Sequence, residues 1–453
     1  MSNPVFRLLS RTLGAAAITI ALVMSAQVTP VIDATLETRS PDSAAAGSGA
    51  PSLVLRAAAR RYTPTQGVRT NDPRTAPRVI LRHILKSIRS VRHGESIRII
   101  SWNVNSGAFV DSLLDANRRG VSVRLIMSKG KADEQPPSGS YWRLKRGLRN
   151  VSKTHPQARG QRSWARVCDR SCRGGRGIAH SKSFVFSRVG DASRVVMSTS
   201  ANATEVSADS QWNDLYTLVG NRKVYAGFMR IFEESARDRP VHPGYRTVTS
   251  GSTMAYFYPW QGRAARGDRV LRELRRINCK GARGGTGVNG RTRIRIAQDA
   301  IIGERGIRIG ERLRRLYEEG CDMRIVYALM GKQVRQIVTH TNRGSVPIRQ
   351  IVQDFNRDGV YDRYLHAKVM TVSGRYGRDR SARVAWQGSE NWSGLAKLSD
   401  EQGLRIRRPG AEIVYTRWVN RLFHNPPPSS RAVVANARRM GVDPYAIIKE
   451  NLG

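Results

Sequence analysis

Hydrophobic and polar residues follow two rhythms along this chain, and the rhythm changes from one segment to the next. Residues 76–91 carry apolar side chains at helical spacing, and residues 95–104 form a mostly apolar run typical of a strand. Residues 109–120 and 121–130 then repeat the helical and the strand pattern. Helix, strand, helix, strand predicts an α/β fold in which helices cover a sheet.

The same order returns in the second half of the chain. It is carried by a helical pattern at 268–278, a strand pattern at 292–301, a helical pattern at 309–320 and a strand pattern at 321–331. Gly120 and Gly320 each stand between a helix and the next strand, where a left-handed helix cap favours glycine. The repeat predicts an internal duplication. We expect two similar α/β lobes related by a pseudo-twofold axis, each a mixed sheet flanked by helices.

The N-terminus has the pattern of an export signal. Arg7 and Arg11 precede an apolar run that ends in small residues, with cleavage expected after Ala26. The run is short for a membrane span, so a retained anchor is the less favoured alternative. We therefore expect a secreted protein.

Composition divides the rest of the chain. Ala, Ser, Gly, Pro and Thr dominate the segment that follows the signal, which is typical of a linker or pro-segment. The expected divisions are a signal peptide at 1–26, a linker at 27–70, a first lobe at 71–250, a second lobe at 251–426 and a C-terminal tail with a short helix at 427–453.

The net charge is strongly positive. Lys and Arg total 77 against 35 Asp and Glu, giving +42. Such a charge attracts phosphate-rich partners, either nucleic acid or an anionic membrane surface, although a biased genome composition would also enrich arginine. The charge alone does not distinguish these partners.

The four cysteines are even in number, as expected for an exported protein in an oxidising compartment. Local pairing predicts disulfides between Cys168 and Cys172 and between Cys279 and Cys321. A four-thiolate zinc site is disfavoured because the spacing lacks the two close pairs that such sites show.

Two apolar strands carry the same pair of polar residues. "IAHSKSFVFSR" places His180 and Lys182 two positions apart, and "YLHAKVMTVSG" does the same with His366 and Lys368. Because strand side chains alternate, His and Lys point to the same face in each copy. Neutral imidazole can act as nucleophile or proton carrier, and an ammonium stabilises charge on a phosphoryl oxygen. One copy alone would favour a core histidine with a solvent-reaching lysine, but two copies favour a shared phosphate site.

The twin motif resembles the phospholipase D superfamily, whose hallmark is a duplicated His-x-Lys-x4-Asp strand followed by Gly-Ser-x-Asn. The resemblance covers most of residues 71–426. It implies a phosphohistidine mechanism without metal or cofactor, with His180 as the nucleophile and His366 as the acid that protonates the leaving alcohol. It further implies that these residues hold the phosphate oxygens: Lys182, Lys368, Asn202 and Asn391, with Ser200 and Ser389 as additional substrate-binding residues.

The resemblance has departures. Thr199 stands where Gly is usual, and Ser187 and Ser373 stand where both copies of the family motif have Asp. An offset of five from Lys faces the opposite side of a strand, so we expect this loss to affect support of the strand more than the chemistry.

The family also supplies a carboxylate that orients each histidine, downstream of each Asn. Asp214 and Glu401 stand at corresponding places, and Asp400 is a nearby competitor for the second role.

A separate signal is "DFNRDGVYD" at 354–362, which starts like a calcium-binding loop. Leu365 occupies the position of the terminal Glu of such loops. An Asx-rich turn around Gly359 is therefore favoured over calcium, and no metal is expected at the catalytic site.

Together these features predict a secreted, monomeric phospholipase D that cleaves phospholipid head groups at a membrane surface, by hydrolysis or by transfer to another alcohol. A metal-independent nonspecific nuclease is the main alternative, although nuclease members of the family commonly carry one motif per chain. A noncatalytic polyanion-binding or envelope-binding paralogue is the second alternative, which the replaced aspartates motivate.

Overall fold

Two mixed β-sheets, one from each half of the chain, form the framework of the protein. The computed structural model describes residues 62–133, 138–154, 161–260 and 267–428. The predicted signal peptide, residues 27–61 of the predicted linker and residues 429–453 of the C-terminal tail lie outside the described residues.

The first half forms these strands and helices: β1 (Gly67–Thr70), α1 (Val79–Arg89), β2 (Ser96–Ser101), β3 (Val104–Asn105), α2 (Gly107–Arg118), β4 (Ser122–Ser128), α3 (Lys129–Ala132), α4 (Gly139–Thr154), β5 (Trp164–Cys168), β6 (Ser183–Val189), β7 (Ala192–Thr199), β8 (Ala203–Thr204), α5 (Glu205–Asp209), β9 (Gln211–Trp212), β10 (Asp214–Leu218) and α6 (Arg222–Ser235).

The second half forms these: β11 (Arg246–Ser250), β12 (Thr253–Phe257), α7 (Arg269–Arg275), β13 (Ile277–Asn278), β14 (Arg293–Ile301), α8 (Gly303–Glu318), β15 (Asp322–Met330), α9 (Lys332–Thr339), β16 (Ile348–Gln350), β17 (Val352–Gln353), β18 (Arg363–Leu365), β19 (Lys368–Tyr376), β20 (Asp379–Gly388), α10 (Gly394–Leu398), β21 (Gln402–Ile406) and α11 (Pro409–His424).

The eight helix and strand patterns identified in the sequence all form the expected element. Apolar spacing produces α1, whose Ile80, Ile84 and Ile88 are buried along one face. Gly120 and Gly320 follow α2 and α8 with φ of +84° and +102°, the left-handed conformation expected of a helix cap.

Strand order confirms the duplication. The first sheet runs β1-β10-β7-β6-β2-β4-β5, and the second runs β12-β21-β20-β19-β14-β15-β16, with β11 added beside β12. In each sheet three strands are parallel, β2-β4-β5 and β14-β15-β16, and the others are antiparallel. The predicted α/β fold class with mixed sheets flanked by helices is therefore confirmed.

Three apolar cores hold these layers together. One lies between the first sheet and α1, α2 and α4, and a second lies between the second sheet and α7, α8 and α9. The third joins the two halves, because it contains side chains of both sheets together with α6 and α11. On β6 the residues alternate between cores, with Phe184 and Phe186 in the outer core and Val185 in the central one.

Two of the predicted boundaries need correction. Residues 67–70, assigned to the linker, form β1 and pair with β10, since Val68 stands opposite Tyr216. Residues 246–250, assigned to the first lobe, form β11 in the second sheet, so the sheets divide before residue 246. In both places a short polar strand completes a sheet edge that only long-range pairing reveals.

Both predicted disulfides are present. Cys168 bonds Cys172, and Cys279 bonds Cys321. Within the described part of the chain, no helix is both long and apolar enough to cross a membrane.

Candidate active site

Strand pairing between the halves brings the two His-x-Lys motifs together. β18, which leads into His366, runs parallel to β9 of the first half, and the His366 backbone N–H donates to Trp212 O at 3.0 Å. Reciprocally, Ala179 bridges to Asp400, and the His180 N–H donates to Asp400 O at 3.0 Å. Each histidine thus enters the site on the backbone of the other half, as a pseudo-twofold arrangement requires.

Glu401 orients His180. The Nδ1 atom of His180 lies 2.9 Å from Glu401 Oε1, and the Ser389 hydroxyl donates to the other carboxylate oxygen of Glu401. Burial raises the pKa of Glu401 to about 8, against the opposing attraction of Lys182. The structure therefore places Glu401 where the sequence analysis expected an orienting carboxylate, although it comes from the opposite half of the chain.

Asn213 orients His366. The Nδ1 atom of His366 lies 3.0 Å from Asn213 Oδ1. The amide orientation is fixed because Asn213 Nδ2 donates to Ser207 O at 2.9 Å and to Gln211 Oε1 at 3.0 Å. Its oxygen must therefore face His366, so Nδ1 carries the proton and the neutral ring keeps its lone pair on Nε2.

The prediction that Asp214 orients a histidine is wrong. The Asp214 carboxylate instead accepts from the Tyr415 hydroxyl at 2.7 Å. The reason is register: Ser200 N donates to Asp214 O and Ser389 N donates to Gln402 O, at 3.1 Å and 2.9 Å. Asp214 therefore corresponds to Gln402, and Asn213 corresponds to Glu401. The sequence analysis looked for a carboxylate and therefore selected Asp214, whereas the orienting residue is the amide one position earlier, Asn213.

Asp400 does not compete for His180. Its carboxylate accepts from the backbone N–H of Cys172 at 2.5 Å, within the loop closed by the Cys168–Cys172 disulfide. Burial raises the pKa of Asp400 to about 7. Asp400 contributes to the site through its backbone oxygen.

Ser200 and Ser389 are not placed to bind substrate, so this prediction is also corrected. Both are fully buried. The Ser200 hydroxyl donates to Asn213 Oδ1 at 2.8 Å, and the Ser389 hydroxyl donates to Glu401. Each serine hydroxyl therefore holds in place the residue that orients a histidine: Ser200 holds Asn213, and Ser389 holds Glu401.

The two lysines have matching backbone contacts and different neighbours. Lys182 Nζ donates to His180 O at 2.6 Å, and Lys368 Nζ donates to His366 O at 2.5 Å. Lys368 also pairs with Asp299 at 3.1 Å, where both side chains are at most 3% exposed. A buried ammonium requires such a partner.

Trp102 takes the place of Asp299 in the first half. Ile99 stands opposite Phe184 and Ile296 stands opposite Met370, so Trp102, just after β2, and Asp299, within β14, occupy equivalent positions. The Trp102 ring lies 5.6 Å from the His180 ring and 5.6 Å from Lys182 Nζ. The sequence analysis assigned a role to neither residue. Trp102 lies three residues after Ile99, and Asp299 lies three residues after Ile296, the equivalent residue of the second half. This equal spacing is the signal that could have identified them.

Asn202 and Asn391 are buried at the ends of the strands that follow the lysines. Asn391 Oδ1 has no hydrogen-bond partner among the described residues, whereas the Asn391 backbone oxygen accepts from Arg305 at 3.1 Å. A buried polar atom without a partner is expected where a ligand binds.

The histidines share one electrostatic environment. Burial is the largest cause that lowers the pKa of His180 well below its usual value, followed by the charges of Lys182 and Lys368. Burial likewise lowers the pKa of His366, followed by Lys368, Lys182 and His180. Both rings are therefore neutral at pH 7, and an anionic phosphate diester would counter the excess positive charge.

Ser187 and Ser373 lie on the strand face away from the site, as predicted. The Ser187 hydroxyl accepts from Ser96 N at 2.7 Å and donates to Glu95 at 2.6 Å. The Ser373 hydroxyl accepts from Gly287 N at 3.2 Å. These contacts support neighbouring strands and loops and touch neither histidine.

Comparison with known proteins gives one family match. Residues 84–236 match the family model described as cardiolipin synthase, PLD-like domain. No curated protein sequence matches the chain.

Several solved structures are similar in fold. Phosphatidylserine synthase from Haemophilus influenzae Rd KW20 aligns with a TM-score of 0.50 at 13% identity, covering 79% of this chain and 90% of the synthase. Polyphosphate kinase from Porphyromonas gingivalis aligns with a TM-score of 0.49 at 11% identity over 80% of this chain, which spans 50% of the kinase's length. Nuc, a phospholipase D family member from Salmonella typhimurium, aligns with a TM-score of 0.28 at 15% identity, covering 38% of this chain and 96% of Nuc.

The synthase alignment supports the fold, while the family match supports the relationship of the first half. The duplicated site extends the same pattern to the second half, where His366, Lys368 and Asn391 mirror His180, Lys182 and Asn202. Residues 84–236 are a PLD-like domain, and the second half of the chain repeats its strand order and its His-x-Lys pair.

Proposed function

We propose that the protein is a secreted phospholipase D that cleaves phospholipid head groups through a phosphohistidine intermediate. The observation that carries the proposal is the pairing of two neutral histidines, each held at Nδ1 by a fixed acceptor, with two lysines in one chain. The PLD-like domain supports phosphodiester chemistry, whereas the lipid substrate, secretion and a monomeric state are parts of the proposal.

His180 is the better nucleophile because it has the carboxylate partner. When Nε2 of His180 bonds to phosphorus, the ring gains positive charge, and an ionised Glu401 2.9 Å from Nδ1 stabilises that charge. The phosphorus–oxygen bond to the leaving alcohol breaks in the same step. A carboxylate behind an imidazole plays this orienting and stabilising role in other nucleophilic sites.

His366 is the better acid because its partner is a neutral amide. A bound diester anion favours protonation of His366 at Nε2, and the neutral Asn213 beside Nδ1 stabilises the resulting imidazolium less than a carboxylate would, so the Nε2 proton is released more readily. His366 donates it to the leaving alcohol oxygen. In the second step His366 takes a proton from water, the water oxygen bonds to phosphorus, and the bond to His180 breaks. Another alcohol in place of water would give transfer to that alcohol.

Lys182 and Lys368 lie beside the histidines and stabilise the nonbridging phosphate oxygens. Asn391 and its counterpart Asn202 are both buried beside the strands of the site, and each can donate from its amide NH₂ to a phosphate oxygen. Peripheral contact with a membrane surface follows from the lipid substrate and agrees with the net charge of +42.

A metal-independent nuclease is the second candidate, since the same chemistry cleaves nucleic acid. The observation that favours it is a concave surface lined by Arg124, Arg162, Arg166 and Arg237 around Trp164. The Arg166 guanidinium lies 4.5 Å from the Trp164 ring. Arginines around a half-buried indole suit a phosphate backbone and a base, and a basic surface predicts strong salt dependence.

The experiment compares the two substrates directly. The secreted form of the full chain is incubated with phosphatidylcholine vesicles or with plasmid DNA, each in EDTA and in millimolar calcium. Released choline and DNA strand breaks are measured for the parent, His180→Asn, His366→Asn and the matched control His93→Asn, which replaces an exposed histidine.

Choline release that is lost in His180→Asn and His366→Asn and retained in His93→Asn supports phospholipase D. DNA cleavage without choline release moves the protein to the nuclease candidate. No activity in the parent, with retained binding to the vesicles and to the DNA, would identify a noncatalytic paralogue. Mass spectrometry of the secreted N-terminus tests cleavage after Ala26, and light scattering tests the monomeric state.

A further inference from the structure

The loop between β17 and β18 has a feature that an Asx-rich turn does not explain. Residues 354–362 begin with Asp354, which is only 5% exposed. Its Oδ2 atom accepts from Gly359 N at 2.9 Å, which closes the turn. Its Oδ1 atom is buried and has no hydrogen-bond partner among the described residues.

An orphaned carboxylate oxygen is costly to bury. Carboxylates are rarely buried unless they are paired with a cation or fully hydrogen-bonded. In the described part of the chain, no donor stands within hydrogen-bond distance of Asp354 Oδ1. A turn requires only Oδ2, so Oδ1 points to a cationic ligand.

The side chains around Asp354 supply oxygen atoms at the spacing of a calcium loop. Asn356 Oδ1 accepts from Asp358 N at 3.3 Å, and Asp358 Oδ1 accepts from Val360 N at 2.7 Å. Phe355 N donates to Asp362 Oδ2 at 2.8 Å. These contacts wind the loop around alternate polar residues, and Gly359 makes its sharp turn with a φ of +89°.

We propose that residues 354–362 bind calcium through Asp354, Asn356, Asp358 and the backbone carbonyl of Val360, with Asp362 acting through water. Hard oxygen ligands of this kind, at alternate positions followed by a glycine, are the set that calcium prefers. In this set only two carboxylates, those of Asp354 and Asp358, would contact the ion directly. The carboxylate oxygens of Asp354, Asp358 and Asp362 do not all lie within 4.8 Å of one another, which is consistent with Asp362 acting through water.

The ion would act on the segment that delivers His366. β17 and β18 form a hairpin in which Gln353 stands opposite Arg363, and the loop connects these two residues. β18 then pairs with β9 and leads into His366. Calcium would therefore tie the two ends of this hairpin together. It would not enter the reaction, and the inference does not rest on the proposed lipid substrate.

Calorimetric titration of the metal-free full chain with calcium chloride tests the site. Leu365 replaces the bidentate Glu of tight loops, so we expect one ion per chain with a Kd of about 10⁻⁴ to 10⁻³ M, and weaker binding of magnesium. Asp354→Asn preserves an acceptor for Gly359 N and replaces the orphaned oxygen with a donor. It should raise the Kd at least about tenfold, as should Asp358→Asn at an exposed ligand, because each removes a charged ligand.

Asp191→Asn is the matched control, since Asp191 is 86% exposed in its side chain and lies outside the loop. Its calcium affinity should equal that of the parent. A second readout is trypsin cleavage after Arg357, which is exposed in the loop and should slow in calcium. If circular dichroism shows that Asp354→Asn is misfolded, the calcium affinity of Asp358→Asn alone tests the proposal, because Asp358 is exposed. No calcium heat in the parent, or equal binding by Asp358→Asn, overturns the proposal.

Discussion

Replacing Glu401 with Gln tests the asymmetry between the two histidines with little change of shape. Glu401 Oε1 lies 2.9 Å from His180 Nδ1, and Ser389 contacts the other carboxylate oxygen. A glutamine oxygen can accept from Nδ1–H while its NH₂ donates to the Ser389 hydroxyl. The substitution therefore removes the charge behind His180 and leaves the hydrogen bond in place.

The expected loss follows from the strength of that hydrogen bond. A hydrogen bond to a charged group contributes about 1 to 1.5 kcal/mol more than a neutral one. At a pH above about 8, where Glu401 is ionised, that difference corresponds to about tenfold in the rate of phosphohistidine formation. If the amide instead turns its NH₂ toward Nδ1, the proton moves to Nε2 and the loss rises to about 10⁴-fold, as for the wrong tautomer in a catalytic triad.

The pH dependence has a defined sign. Burial raises the pKa of Glu401 to about 8, so the carboxylate is mostly protonated below that pH and ionises as the pH rises through it. Ionised Glu401 strengthens His180 as a nucleophile. The parent rate should therefore increase as the pH rises through about 8, and Glu401→Gln should lack this increase.

Single-turnover cleavage of whichever substrate proves active is measured from pH 6 to 9, at one enzyme concentration. Glu304→Gln is the control, because the Glu304 side chain is 81% exposed. A Glu401→Gln variant with native circular dichroism, parental rate and parental pH profile would refute a role for the carboxylate behind His180.

Three further predictions concern the surroundings of the site. Asp299→Asn leaves the buried Lys368 ammonium without its ion pair, so urea unfolding should show a loss of about 3 to 5 kcal/mol, while Asp379→Asn at an exposed pair should cost under about 1 kcal/mol; equal losses would contradict the pairing. Burial raises the pKa of Asp214 from 3.8 to about 7, so the folded state holds a proton between these values that the unfolded state has released. The free energy of unfolding should therefore fall by on the order of 4 kcal/mol as the pH rises across that window. Denaturant unfolding at pH 4 and pH 7 should show a smaller fall for Asp214→Asn than for the parent. An equal fall in both proteins would contradict the assignment to Asp214. Ser187→Ala should lower stability by about 1 kcal/mol and leave kcat unchanged, because among the described residues its hydroxyl bonds to Ser96 and Glu95 and to neither histidine. A large fall in kcat would show that the motif's third position acts on the chemistry.

The sequence by itself determined the local elements and their repetition. Apolar spacing defines α1 and β2 and their counterparts α8 and β14, because a helix or strand buries the face that its period of 3.6 or 2 residues creates. The His-x-Lys spacing placed His180 with Lys182 and His366 with Lys368 for the same reason. The cysteine pairs were also predictable from their number and proximity.

Only the tertiary structure decided which remote residues meet the histidines. Asn213 and Glu401 are equivalent because the next residue after each pairs with a serine backbone: Ser200 N donates to Asp214 O, and Ser389 N donates to Gln402 O. This register does not depend on whether the orienting side chain is an amide or a carboxylate. The same holds for Asp299, which reaches Lys368 across β14 and β19. Period and composition report which face a residue occupies, whereas contacts between distant segments depend on strand register, which backbone hydrogen bonds establish only in the folded chain.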